Sequence, residues 1–186
     1  MLIMPFLPVR DEGEVYDSTL RLHVLANSDT TEDQTLKLLV RDAMVEEAAR
    51  VTRGAENAEE AKEKCLQSLD AFQSKAEQVL RENGCDLGVT VRLGEEYYPE
   101  RSYGNIRLPS GRYGSLTVNI GESEGQNWWC VLFPPLCVEA AEAEEELVAT
   151  GFTPNQVRLL TDSESPRYVI RFRILEWLED IADIFA

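Results

Sequence analysis

The chain has 186 residues, 44% of them hydrophobic and 28% charged, which is the mix of a folded soluble domain able to bury one core and not of a disordered chain. Its 34 acidic residues against 18 basic ones give a net charge of -16, and no lysine or arginine cluster reverses this locally, so repulsion from phosphates excludes nucleic acid as a partner. No low-complexity linker divides the chain, and one domain is expected over residues 18–186 behind an N-terminal tail at 1–17.

The apolar opening from Leu2 to Val9 is too short to cross a bilayer and holds Pro5 and Pro8, which break helices. Without a basic leader or a small-residue cleavage site, it is at most the remnant of an export segment. Thr19 to Ala26 then alternates, with Leu20, Leu22 and Val24 on one face and Arg21, His23 and Leu25 on the other, the period of a half-buried strand. Asn27-Ser28-Asp29 interrupts it. Thr30 and Thr31 can cap a helix, Glu32 and Asp33 suit its positive end, and Leu36, Leu39, Val40, Ala43, Met44 and Ala48 recur at helical spacing to about Val51.

After Gly54 a second helix is predicted from about Asn57 to Glu82, its apolar stripe running through Ala58, Ala61, Cys65, Leu69, Phe72, Ala76, Val79 and Leu80, with Asn83-Gly84 as the stop. Strands follow at Val89 to Leu93, Ile106 to Leu108, Tyr113 to Ile120 and Trp128 to Phe133. Pro109-Ser110-Gly111 and Gly121 to Gly125 are read as the turns of two hairpins. Five glutamates interleave with alanines between Glu139 and Glu146, a solvated helix face or an insertion. Ser165 and Pro166 open a closing helix through Phe172, Leu175, Leu178 and Ile181, with a strand as the alternative because Tyr168 to Ile174 also alternates. The sum is an α+β two-layer sandwich, a mostly antiparallel sheet packed against amphipathic helices.

Candidate chemistry is sparse. One histidine, His23, lies in the alternating strand, where a hydrogen-bonded structural role outweighs that of a base for a nucleophile such as Cys130. Glu95-Glu96 and Asp29, Glu32 and Asp33 offer carboxylates, but 34 acidic residues bring some pair to roughly 5 to 10 Å by chance. No phosphate-binding loop and no Cys/His ligand set is present, so no cofactor, metal or catalytic residue is assigned. Cys65 and Cys85, separated by a helix, stand more than about 20 Å apart and cannot pair.

The unusual segment is QNWWCVLFPPLC, Gln126 to Cys137. As a strand it sends Trp128, Cys130 and Leu132 to one side and Trp129, Val131 and Phe133 to the other, so both faces are apolar. Either both tryptophans are core, or one is core and the other stays exposed for a partner. Cys130 and Cys137 either close a small disulfide loop across Pro134-Pro135 or stay as buried thiols.

QNWWCVLFPPLC resembles the signature block of the stage II sporulation protein R family. LRLHVLANSDTTEDQTLKLLVRDA from Leu20, YGNIRLPSGRYGSLTVNIGESEG from Tyr103 and RFRILEWLEDI from Arg171 agree with it in collinear order. The resemblance implies a protein made in the forespore and exported to the space between the two membranes. There it would be sensed by a membrane-embedded aspartic protease of the mother cell that processes a sigma factor precursor. It implies a ligand and not an enzyme, and an oxidising address that favours the Cys130–Cys137 bond. The candidate partner-binding residues are Asn27, Ser28, Asp29, Tyr103, Gly104, Trp128 and Trp129. The other class is a peptidoglycan-binding or peptidoglycan-cleaving protein of the same space, stacking Trp128 or Trp129 on sugars.

Overall fold

The apolar face of Leu20–Leu25 (β1) is fully buried at Leu20, Leu22 and Val24, as its alternation predicts. The structure is a computed structural model that describes residues 15–103 and 106–135, together with Leu147, Phe152, Gln156, Val157 and Leu160. The predicted closing helix and the Glu139 to Glu146 stretch lie outside the described residues.

Thr31–Val51 (α1) begins where Thr30 accepts the Asp33 N–H, with Glu32 and Asp33 at its positive end. Its buried stripe includes Leu36, Val40, Ala43, Met44 and Ala48, while Leu39 turns outward and Lys37 is buried in its place. The second predicted helix is two: Ala58–Gln67 (α2), capped by Asn57 onto Glu60 N at 2.9 Å, and Leu69–Glu82 (α3). The break falls at Ser68, whose N–H bonds three residues back to Cys65 and whose backbone leaves the helical region. The break lets α2 and α3 follow different parts of the sheet, with Phe72, Ala76 and Leu80 of α3 buried in the core.

The main sheet holds Val89–Tyr98 (β2), Gly111–Ile120 (β5), β1 and Asn127–Phe133 (β6), in the order β2-β5-β1-β6. Arg101–Tyr103 (β3) and Ile106–Leu108 (β4) form a separate antiparallel ribbon. β1 runs parallel to β5 and antiparallel to β6, and β2 runs antiparallel to β5. Both predicted hairpins are therefore corrected. β4 pairs with β3 and not with β5 across Pro109, and β1 lies between β5 and β6. A central strand buried on both sides must fill both its edges, which local turn signals do not report.

Leu20, Leu22, Val24, Leu116, Val118 and Ile120 meet Val40, Met44, Phe72, Ala76 and Leu80 in the main core. Each large side chain fully buried there contributes roughly 1.5–3 kcal/mol. A register shift in β6 pairs Arg21 with Val131 but Leu20 with Phe133. This bulge carries Phe133 to the helix side with Cys130 and Leu132, and not to the face of Trp129 as strict alternation requires. On the opposite side a smaller cluster joins Val15, Ile106, Leu108 and Val131 to Leu147, Phe152 and Leu160.

Candidate functional site

β1 sends Arg21 and His23 to the face away from the helices, and its neighbours bring polar and aromatic groups to both. Arg21 is wholly buried. Its Nη2 donates to the Tyr103 hydroxyl at 2.8 Å and its Nε to the Cys130 carbonyl at 3.2 Å. The guanidinium lies 4.2 Å from the ring centre of Tyr98, 4.9 Å from Tyr113 and 5.6 Å from Tyr103, a three-sided aromatic box that offsets part of its desolvation. Its Nη1 has no hydrogen-bond partner among the described residues. Burial holds the phenols of Tyr98 and Tyr103 above the ordinary range, so both stay neutral.

His23 sits one step along the same face. Its Nδ1 is 2.8 Å from Glu96 Oε2 and its Nε2 is 2.8 Å from Asn127 Oδ1. Glu96 also takes Arg92 at 2.5 Å and a longer contact from Ser115 at 3.4 Å. Burial raises the Glu96 carboxyl, but the His23 bond and charge, with help from Thr117 and Arg92, outweigh it and leave the group below its ordinary value. The His23 ring stacks on Trp129 at 5.6 Å, and Arg101 lies 4.3 Å over the same indole.

A nucleophile needs a base within hydrogen-bond reach, and both nitrogens of His23 are already occupied by side-chain oxygens. Cys130 pairs with Leu22 and faces the helices while His23 faces away, which removes the histidine–cysteine arrangement considered from the sequence. Ser115 touches Glu96 and Tyr98 and no nitrogen of His23. Among the described residues, no group of three or more His, Cys, Asp or Glu is placed to hold a metal ion. The cluster is a largely buried network of polar and aromatic side chains.

Asn27, Ser28 and Asp29 form a clasp at the end of β1. Asn27 Oδ1 accepts Glu122 N at 3.0 Å, Asp29 Oδ1 accepts Gln126 N at 2.8 Å, and Ser28 and Asn27 both donate to Asp33. Those donations hold the Asp33 carboxyl below its usual range, the Ser28 bond first. Gly121 has a left-handed φ of 55°, and a side chain there would strike Asn27 Oδ1; one at Gly125 would strike the Ser28 carbonyl. The clasp thus ties the β5–β6 loop to the start of α1. Lys37 completes it, donating at 3.0 Å to the Gln126 carbonyl, with burial lowering its pKa.

Trp128 and Trp129 take opposite faces, but neither is core. Trp128 is 37% exposed and Trp129 is half-buried. β6 is the last strand in the sheet order, and at its start α1 presents Arg41, whose guanidinium lies 4.4 Å from the Trp128 ring centre, instead of an apolar cover. Arg41 is itself held by Asp42 at 2.6 Å. Tyr103 joins Arg21 and reaches the Trp129 carbonyl at 3.4 Å. Gly104 lies outside the described residues. Cys130 is disulfide-bonded, whereas Cys65 and Cys85 are free; Cys137 lies outside the described residues. The sequence reading did not select Arg21, Tyr98, Tyr113, Asn127 or Arg101, and Glu96 entered only as one carboxylate among many. An arginine between Leu20 and Leu22, in a strand whose other face is wholly apolar, was the available signal.

A family model described as stage II sporulation protein R matches residues 16–143. The stage II sporulation protein R of Bacillus subtilis (strain 168) is similar to this chain, 28% identical over 183 residues that cover 89% of this chain and 82% of the relative. No solved structure matches. No helix among the described residues is long and apolar enough to cross a membrane.

Proposed function

Because this chain belongs to the stage II sporulation protein R family, we propose that it is an exported signalling protein that activates a membrane-embedded aspartic protease of the mother cell, which then processes a sigma factor precursor. In this reading the protein acts as a ligand, in the space between forespore and mother-cell membranes.

The observation that carries the reading is Trp128, an exposed indole backed by Arg41 beside the Asn27–Asp29 clasp. Tryptophan and arginine are the side chains most enriched where binding energy concentrates, and a ring already immobilised loses little entropy on contact. The disulfide at Cys130 suits an oxidising address. Reconstituting the receptor-protease with its precursor substrate in vesicles, with and without the purified protein, tests the proposal. Stimulated cleavage is expected, and an unchanged cleavage rate with folded, oxidised protein would remove it.

A further inference from the structure

We infer that the outer edge of β2, from Leu93 to Tyr97, is a docking site for an extended segment of a partner polypeptide that places a basic residue between two apolar ones. Among the described residues β2 is an edge strand, paired only with β5 through an unbroken register from Val89↔Ile120 to Tyr98↔Gly111. At its first half the free edge is filled by a side chain imitating a strand: Gln73 Nε2 donates to the Val89 carbonyl at 2.7 Å, and Gln73 Oε1 accepts Val91 N at 2.9 Å. Those two bonds establish that the odd-numbered residues turn their backbone groups outward. Alternation then directs the N–H and C=O of Leu93, Glu95 and Tyr97 outward too, and among the described residues none of them meets a partner.

Three consecutive open rungs are the recognition surface for strand addition, in which the backbone supplies affinity and alternate side chains supply selectivity. The side chains on these rungs share the helix-side face with Val89 and Val91. Leu93 is partly buried on the main core, Glu95 is 73% exposed and Tyr97 is 66% exposed. Glu95 has only a loose exposed contact with Arg112, at 3.7 Å, which leaves it available. An incoming strand sets its own side chains directly opposite these three, so the complementary order is apolar, basic, apolar. A second copy of this chain fits poorly. Antiparallel self-pairing that uses all three rungs puts Glu95 against Glu95, and the two chains each carry a net charge of -16. The inference is independent of the sporulation reading.

The test uses the full oxidised chain and two capped heptapeptides in which threonine alternates with valine, lysine and valine, or with valine, glutamate and valine. Amide exchange is followed residue by residue by nuclear magnetic resonance. The lysine peptide is expected to slow exchange at Leu93, Glu95 and Tyr97 by about tenfold or more at saturation, and the glutamate peptide to do far less. Glu95→Pro removes one outward N–H without touching the ladder to β5, and should abolish the protection while thermal unfolding stays two-state. Glu95→Lys should reverse the peptide preference. No protection at these amides, equal response to both peptides, protection that survives Glu95→Pro, or the same protection from concentrated protein alone would each overturn the inference.

Discussion

The guanidinium of Arg21 lies 4.2 Å from the ring centre of Tyr98 in a site sealed from solvent, with its Nη1 left without a hydrogen-bond partner among the described residues. A buried cation held mostly by aromatic faces binds the β3–β4 ribbon to the sheet through Tyr103. Breaking it should cost more than replacing it. Arg21→Ala opens a cavity and takes the Arg21 hydrogen bonds from the Tyr103 hydroxyl and the Cys130 carbonyl, for about 3–5 kcal/mol. Arg21→Met keeps the volume and removes the desolvation cost, so it should be at least about 2 kcal/mol more stable than Arg21→Ala in urea unfolding.

Glu96 gives a pH dependence of known sign. Its carboxyl titrates below the ordinary value of 4.5 in the folded chain, because the His23 bond and charge outweigh burial. A lowered folded pKa contributes stability that is fully present above the ordinary value and disappears as pH falls through the folded one. The stability advantage of the wild type over Glu96→Gln should therefore shrink as pH falls below about 4.5, read by urea unfolding at several pH values.

The clasp separates structure from contact. Gly121→Ala forces a side chain onto Asn27 at a left-handed backbone position and should cost about 1–3 kcal/mol. Asn27→Ala loses the bond from Glu122 N and should cost about 1 kcal/mol. Thermal unfolding of both variants checks these values.

The cysteines should separate by reactivity. Burial pushes the Cys65 thiol up to about 12, while Cys85 is only partly covered. Alkylation of the native protein without reductant should label Cys85 quickly and Cys65 only on unfolding. Mass analysis of the same sample should place Cys130 and Cys137 in one disulfide-linked fragment, and Cys137→Ser should weaken the fold by about 2 kcal/mol.

The legible features were those decided by neighbours in sequence. Leu20, Leu22 and Val24 announce a strand by their own spacing, and Thr30 with Glu32 and Asp33 announces a helix start. The break at Ser68 carries no proline or glycine, so nothing local marks it. The parallel pairing of Leu22 with Leu116 joins residues from distant parts of the chain, and only tertiary packing chooses it over the hairpin that Gly121 to Gly125 suggests. The bulge that turns Phe133 inward is likewise invisible to an alternation rule. Tyr98, Tyr103 and Tyr113 read singly as strand aromatics, and become a site only when the fold gathers them around Arg21.

Trp128 is the residue on which the signalling account stands, and paired measurements on Trp128→Ala test it directly. Because the ring is 37% exposed and rests on Arg41, its loss should cost only about 1 kcal/mol in thermal unfolding. As a contact for the receptor-protease it should cost about 2 kcal/mol or more of binding, so half-maximal stimulation of precursor cleavage should need about thirtyfold more protein. A folded Trp128→Ala variant that stimulates cleavage at the wild-type concentration would contradict the account.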